Sequence, residues 1–289
     1  MTFECLHPEE RLTRDELDHL QVQRLRTMAN TALQAPFYAR KAEELKAADI
    51  KSPEDIQGLP LTTKDDLRSG YPFGFLTRPV SDMVRLHASS GTTGSPTAIL
   101  YTRQDLDTWA DLVARCMFMV GIRPGDTFQN LSGYGLFTGG LGIHYGAERL
   151  GCLTIPAGAG NSRRQIKLLR DFQVQAIHII PSYALRLAQV LHETGVDPET
   201  LALNIALIGA EPHSGEIRTR IEDLFQIKAY NSYGLSEMNG PGVAFECPTQ
   251  SGMHLWEDNF LAEILDPETL EPVPEGELGE LVLTTLNRE

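Results

Sequence analysis

Cysteine is scarce and scattered in this chain. Its four copies, Cys5, Cys116, Cys152 and Cys247, lie far apart and form no Cys-x-x-Cys pair. That argues against a disulfide framework and excludes a metal site built from cysteines alone. Basic charge is also short, with 25 Lys and Arg against 39 Asp and Glu, a net charge of −14. A nucleic-acid surface needs a basic stripe, so that partner class is not expected. Anionic small ligands stay open, because local backbone N–H groups and a bound metal can offset the global field. No apolar run reaches the roughly 18 residues needed to cross a bilayer, so no membrane partner is expected. The start, MTFECLHPEER, lacks the basic and apolar regions of a secretion signal, which points to a cytoplasmic setting. There is no internal repeat and no low-complexity linker. What remains is 289 residues, 42% hydrophobic and 22% charged, enough for one large or two medium globular domains.

Along the chain, Thr13 and Glu16 form a capping box ahead of a helix striped by Leu17, Leu20, Leu25, Met28 and Leu33. That helix closes before Pro36. KSPEDI and LTTKDDL each place Ser or Thr before an acidic turn, predicting two short helices. Thr102 caps a helix whose Leu106, Trp109, Leu112, Val113, Cys116, Met117 and Val120 share one face, so Cys116 reads as core rather than catalytic. From DTFQNLS to IKAYNSYG, strand-like and helical segments alternate, implying βαβ units and a mostly parallel sheet. Near residue 243 the regime changes: MHLWED, FLAEILD and ELGELVLTTL are strand-like with turns between them, predicting a small antiparallel layer. The expected fold class is α/β, with mostly parallel sheets, flanking helices and a small antiparallel β subdomain. The expected division is a helical N-terminal lobe at 1–85, an α/β core at 86–242 and an antiparallel β subdomain at 243–289.

Residues 86–102, LHASSGTTGSPTAILYT, are the densest run of small and hydroxylated residues. A Walker A loop needs GxxxxGK[ST], but Gly91 and Gly94 are too close and Ser95 stands where lysine is required. The GxGxxG spacing of a dinucleotide loop is missing as well. What is left is a turn carrying Ser89, Ser90, Thr92, Thr93 and Ser95, with glycines that let a backbone approach closely. Such a turn can offer several N–H and O–H donors to a phosphate chain, or it can be an ordinary Ser/Thr-rich loop.

That loop has company. SSGTTGSPT, then IGAEP at 208–212, then YGLSE at 233–237 follow the order and spacing of the adenylate-forming (acyl-CoA synthetase) superfamily. GYGLFTGGLGIHYGAERLG and GPGVAFEC resemble its phenylacetate–CoA ligase branch. The resemblance runs from residue 5 to 289.

The resemblance implies a two-step ligase. An aryl carboxylate attacks the α-phosphate of ATP to give an acyl adenylate and pyrophosphate, and the thiol of coenzyme A then displaces AMP. Since carboxylate and triphosphate are both anionic, phosphate donors and Mg²⁺ are required. By resemblance, Ser89, Ser90, Gly91, Thr92, Thr93 and Gly94 cradle the triphosphate. Many members carry lysine where this chain has Ser95, which weakens the loop's neutralisation of pyrophosphate. Glu237 is the implied Mg²⁺ ligand, with the Ser236 hydroxyl beside it as a second catalytic group. Gly209, Ala210, Glu211 and Pro212 match the adenine-side segment. Asn231, Ser232, Tyr233 and Gly234 complete that pocket, with a core-packed Tyr233 as the competing reading. Tyr134, Phe137, Gly139 and Gly140 combine aromatic walls with space for a flat acid such as phenylacetate, although such a stretch also serves plain helix packing. His144 reads equally as a site, core or surface residue. Cys247 and His254 are two halves of a tetrahedral zinc site needing two more ligands, or else a buried thiol and a strand-edge histidine. A structural Zn²⁺ is conceivable from relatives that carry a Cys-x-Cys pair further on.

LVLTTLNRE follows a strong strand with no closing element. The expectation is therefore a large N-terminal domain truncated before its lid, with negligible turnover by itself. Competing readings are an acyl-protein synthetase or amino-acid-activating relative, which differ in the acyl acceptor, and a catalytically silent nucleotide-binding protein. A homodimer is admitted as an assembly. The acid itself is open among phenylacetate, a hydroxylated analogue, indoleacetate and benzoate.

Overall fold

The computed structural model describes residues 5–41, 50–89 and 96–289. In chain order its longer elements are α1 (Arg14–Ala32), α2 (Pro36–Ala39), α3 (Lys64–Ser69), β1 (Arg85–Ala88), β2 (Ala98–Tyr101), α4 (Arg103–Met119) and β3 (Thr127–Asn130). Then come α5 (Thr138–Leu150), β4 (Leu153–Ile155), α6 (Ser162–Asp171), β5 (Ala176–Ile179), α7 (Pro181–Glu193) and β6 (Ile205–Gly209). The remainder are α8 (Gly215–Phe225), β7 (Lys228–Leu235), β8 (Gly240–Glu246), β9 (Met253–Leu255), β10 (Phe260–Leu265) and β11 (Glu280–Thr285). None of the described helices is long and apolar enough to cross a membrane.

The chain forms two compact units, each discontinuous in sequence. One joins residues 107–254 to the first six, and the other joins 7–106 to 255–289.

The first unit is built on a seven-stranded sheet in the order β4-β3-β5-β6-β7-β8-β9. Strands β4, β3, β5, β6 and β7 run parallel, and β8 is antiparallel to β7. All four residues of β5 are buried, as expected of a parallel strand covered on both faces. Period-two alternation sends Ile177 and Ile179 into one core with Ile208 of β6, Leu169 of α6, Leu187 of α7 and Phe225 of α8. Ala176 and His178 face the other way. β8 escaped the sequence reading because GPGVAFE opens on Gly-Pro-Gly, a turn signature. Gly240 and Gly242 have φ of +109° and +110°; a side chain at Gly240 would collide with Trp109, and one at Gly242 would press on Val113. The glycines admit α4 against the strand, and the Trp109 indole N–H donates to the Pro241 carbonyl at 2.7 Å.

In the second unit β1 and β2 form an antiparallel pair, and β10 and β11 form another. Leu261 and Leu286 join Leu25, Ala29, Ile50 and Ile56 in one core. The Thr13–Glu16 capping box is present, but the buried stripe of α1 is Gln21, Leu25 and Ala29. Gln21 replaces an expected leucine because its amide donates to the Glu257 carbonyl at 2.9 Å. Of the two short helices expected, LTTKDDL gives α3 while KSPEDI forms a 3₁₀ turn, Pro53–Gly58. Thr102 caps α4: its hydroxyl accepts from the Asp105 N–H, and the Asp105 carboxylate accepts from the Thr102 N–H. The predicted face of α4, Cys116 included, is buried.

Candidate active site

In the sheet order, β4 lies on one side of β3 and β5 on the other. The winding reverses there, and open α/β sheets hold ligands outside the carboxyl ends of the strands at such a point. Three groups of residues gather at these ends.

The first group is at β3 and β5. Asn130 ends β3 in register with His178 of β5, and both side chains are buried. The Asn130 Oδ1 accepts from the Ser132 N–H at 3.1 Å, which fixes the orientation of the amide. Its Nδ2 therefore donates, to the Gly140 carbonyl at 2.7 Å and to the Tyr134 hydroxyl at 3.2 Å. Tyr134, accepting from Asn130, faces His144 Nδ1 at 3.3 Å, and His144 Nε2 faces the Glu148 carboxylate at 3.1 Å. Burial, with the Glu148 charge adding, pushes the Tyr134 phenol up despite the Asn130 hydrogen bond. The His178 Nδ1 lies 2.5 Å from the Ser132 hydroxyl and 3.3 Å from Asn130 Oδ1. Burial pushes His178 down to about 4, so its ring is neutral near pH 7.

Of the four residues expected to make the acid slot, Tyr134 and Phe137 are exposed while Gly139 and Gly140 are buried. The room left by the glycines is taken up by the chain itself. A side chain at Gly140 would strike the Gly133 carbonyl, and one at Gly139 the Phe137 ring. Among these four residues, the surfaces left open are those of Tyr134 and Phe137. His144, whose place the sequence left open, belongs to this group through Tyr134.

The second group is at β6 and β7. Gly209 pairs with Ser232, whose hydroxyl donates to the Ile208 carbonyl at 3.0 Å. A Cβ on Gly209 would collide with Ser232, so the strands approach as closely as glycine allows. Ala210 follows at φ +67°, a left-handed conformation that a non-glycine residue holds at a cost of order 1–3 kcal/mol. The Glu211 carboxylate turns away to α7, accepting from the Ser182 N–H and, at 3.0 Å, from the Ser182 hydroxyl. It is an anion on a helix N-terminus and it pins the loop. The Asn231 N–H donates to the buried Glu246 carboxylate at 2.7 Å, and Arg218 pairs with the same carboxylate at 2.7 Å. Tyr233 is half-buried; burial and then the Glu237 charge push its phenol up.

The third group follows β7. Ser236 and Glu237 lie on a 3₁₀ turn, Ser236–Met238. The Ser236 hydroxyl is 3.3 Å from that of Thr138, at the start of α5. Gly234, next to them, could take no side chain without striking Gly240.

In the second unit, the Ser89 hydroxyl accepts from the N–H and hydroxyl of Thr97 at 3.1 and 2.9 Å, extending the β1–β2 pairing by one rung. Ser90, Gly91, Thr92, Thr93, Gly94 and Ser95 lie outside the described residues. Cys247 shares a hydrogen bond with Thr249 at 3.0 Å, and His254 is exposed on β9. Among the described residues no group of three or more His, Cys, Asp or Glu could hold a metal ion, so the two zinc-ligand candidates gain no companions here. The sequence reading passed over Asn130, Ser132, His178, Arg218 and Glu246. The legible signal was a polar residue inside an otherwise apolar buried strand, His178 in AIHII and Glu246 in VAFE.

Comparison with known proteins decides the family. A profile described as AMP-binding enzyme matches residues 18–287. The chain belongs to that family. Among AMP-binding enzymes it is 48% identical to a phenylacetate–coenzyme A ligase of Pseudomonas putida, over 98% of this chain and 66% of that protein. It is 46% identical to the phenylacetate–coenzyme A ligase of Thermus thermophilus, over 97% and 64%. These similarities bear out the expected branch. A solved 2-hydroxyisobutyryl-CoA ligase, in complex with 2-HIB-AMP and CoA in the thioesterification state, is 34% identical with a TM-score of 0.91, over 97% of this chain and 62% of that one. The chain thus spans just under two thirds of the length of these curated relatives. The α/β class, with its mostly parallel sheet and small antiparallel pairs, is the expected one.

Proposed function

We propose that this chain carries the adenylate-forming site of an ATP-dependent aryl acid–CoA ligase, with phenylacetate or a close analogue as the acid. The observation that carries the reading is the gathering of Gly209–Pro212, Asn231–Gly234 and Ser236–Glu237 at the carboxyl ends of β6 and β7 in an AMP-binding enzyme. The acid's carboxylate attacks the α-phosphorus of ATP, and pyrophosphate leaves. The thiol of coenzyme A then attacks the acyl carbon and AMP leaves, giving the thioester. Asn231, Ser232 and Tyr233 with the loop from Gly209 hold the adenine. The exposed rings of Tyr134 and Phe137 receive the acid. The acid could pass instead to another acyl acceptor; the 2-hydroxyisobutyryl-CoA ligase complex with CoA favours coenzyme A.

Glu237 and Ser236 are hard oxygen donors, one anionic, beside the hydroxyl of Thr138, a set suited to a cation that also takes phosphate oxygens. Mg²⁺ held there would neutralise phosphate charge as pyrophosphate departs. Glu237→Gln keeps the shape and one oxygen but removes the charge. Titration calorimetry with ATP and Mg²⁺ is expected to show affinity lowered by about 10- to 100-fold and an unchanged unfolding midpoint. Unaltered Mg²⁺-dependent ATP affinity removes Glu237 from the site. Absence of binding to both ATP and a phenylacetyl sulfamoyl adenosine overturns the reading as a whole.

A further inference from the structure

His178 is a fully buried titratable group for which the reaction above has no use. It stands at the point where the strand order reverses, in register with Asn130 of the neighbouring strand. Asn130 Oδ1 is already committed as an acceptor to the Ser132 N–H. A ring nitrogen 3.3 Å from that oxygen makes a favourable contact only if it carries hydrogen. With hydrogen on Nδ1, the ring donates toward both Asn130 Oδ1 and the Ser132 hydroxyl, and the Ser132 proton is free to turn elsewhere. Asn130 in turn holds Tyr134 by its hydroxyl and α5 by the Gly140 carbonyl. Its two donors thus position an exposed ring that opens the slot and the first turn of the helix behind it. The Tyr134 hydroxyl accepts from Asn130, and with the His144 hydrogen drawn to Nε2 by the Glu148 carboxylate its own proton is directed to His144 Nδ1.

We infer that His178 is a positioning residue for the acid slot, whose Nδ1–H locks the Asn130 amide so that Tyr134 presents a fixed ring and a hydroxyl with its proton already committed, favouring an unsubstituted aryl group over a para-hydroxylated one. This rests on reading 133–148 as the acid slot. A substrate hydroxyl brought to Tyr134 would be offered no proton there, so its own oxygen would lack a donor from this ring. The network acts on the acid and leaves the adenine side, on β6 and β7, untouched.

The test uses the full chain and three probes: AMP, phenylacetyl sulfamoyl adenosine and its 4-hydroxyphenylacetyl counterpart. His178→Leu removes the N–H at similar volume. It is expected to weaken the phenylacetyl probe about tenfold, to narrow its advantage over the hydroxylated probe, and to leave AMP affinity unchanged. His178→Asn, whose amide can return a donor near the Nδ1 position, is expected to restore most of the loss. His178→Gln, whose amide reaches the Nε2 rather than the Nδ1 position, removes the same donor while staying polar; it is expected to shift the probe ratio in the same direction and serves if His178→Leu does not fold. An unchanged ratio in folded His178→Leu, or in His178→Gln where His178→Leu does not fold, overturns the inference. So does an equal loss of AMP and phenylacetyl probe, which marks a merely structural residue. A wild-type chain that binds AMP but neither acyl probe overturns the aryl-acid reading and the inference with it. Wild-type preference for phenylacetyl that persists in the variants overturns the inference alone.

Discussion

Glu246→Ala is expected to destabilise the sheet-bearing unit by about 3 kcal/mol and to weaken AMP binding. The carboxylate is 6% exposed and is bound from two sides, by the Arg218 guanidinium and by the Asn231 N–H, each at 2.7 Å. Its removal leaves a strand N–H and a largely buried cation without this acceptor. Breaking a buried pair in this way costs about 3–5 kcal/mol, because the surviving charge remains desolvated. The Arg218 side chain retains 24% exposure, and water reaching it holds the loss to the lower end. Asn231 begins the run proposed to hold adenine, so the loosened strand end couples stability to nucleotide affinity. Urea titration followed by AMP calorimetry checks both. Glu246→Gln keeps an acceptor for Asn231 and is expected to lose less than half as much. Equal losses for alanine and glutamine would place the whole effect in the Arg218 charge and none in the strand contact.

Acid is expected to weaken the protein well above the range where carboxylates titrate, and the loss traces to His178. Burial holds its folded value at about 4, against 6.5 for the free side chain. Between those values the unfolded chain binds a proton that the folded chain refuses, so stability rises with pH across this window and falls as pH drops through it. Above pH 6.5 the group contributes nothing to pH dependence, and below about 4 the loss is complete. Each tenfold difference in proton affinity between the folded and unfolded chain is worth about 1.4 kcal/mol. The full loss is therefore about 3 kcal/mol, of which roughly 1.4 kcal/mol is already lost by pH 5.5. Urea midpoints at pH 7.5 and 5.5 measure it as the difference between wild type and His178→Leu, in which this component vanishes. A wild-type chain and variant that lose stability in parallel would show that His178 accepts its proton without resistance.

Much of the architecture was legible because short-range rules act there. Thr13 with Glu16 and Thr102 with Asp105 close local hydrogen-bonded caps, and the Leu106-to-Val120 stripe needs only helical periodicity. The alternation of strands and helices from 127 to 235 follows from length and apolar pattern. β8 was illegible because its glycines are read locally as a turn, whereas they are there to admit Trp109 and Val113 from another element. Gln21 in the α1 stripe was illegible because its partner, the Glu257 carbonyl, is 236 residues away.

The same division runs through the site. The sequence by itself determined the family, through three ordered motifs, and with it the candidates on β6, β7 and the turn carrying Ser236 and Glu237. It also determined that two customary phosphate loops are excluded around Ser89, since that question is one of spacing. Tertiary structure alone decided how several of these residues are used. Glu211 turned out to cap α7, and the glycines of α5 to seat the chain against itself rather than leave it open. Tyr134 proved to be held by Asn130, which Ser132 and His178 contact in turn, and no motif marks these residues. The reason is that a motif records which groups are close along the chain. A buried hydrogen-bond network is selected by which groups the winding of the sheet brings together after desolvation has made every unpaired donor expensive.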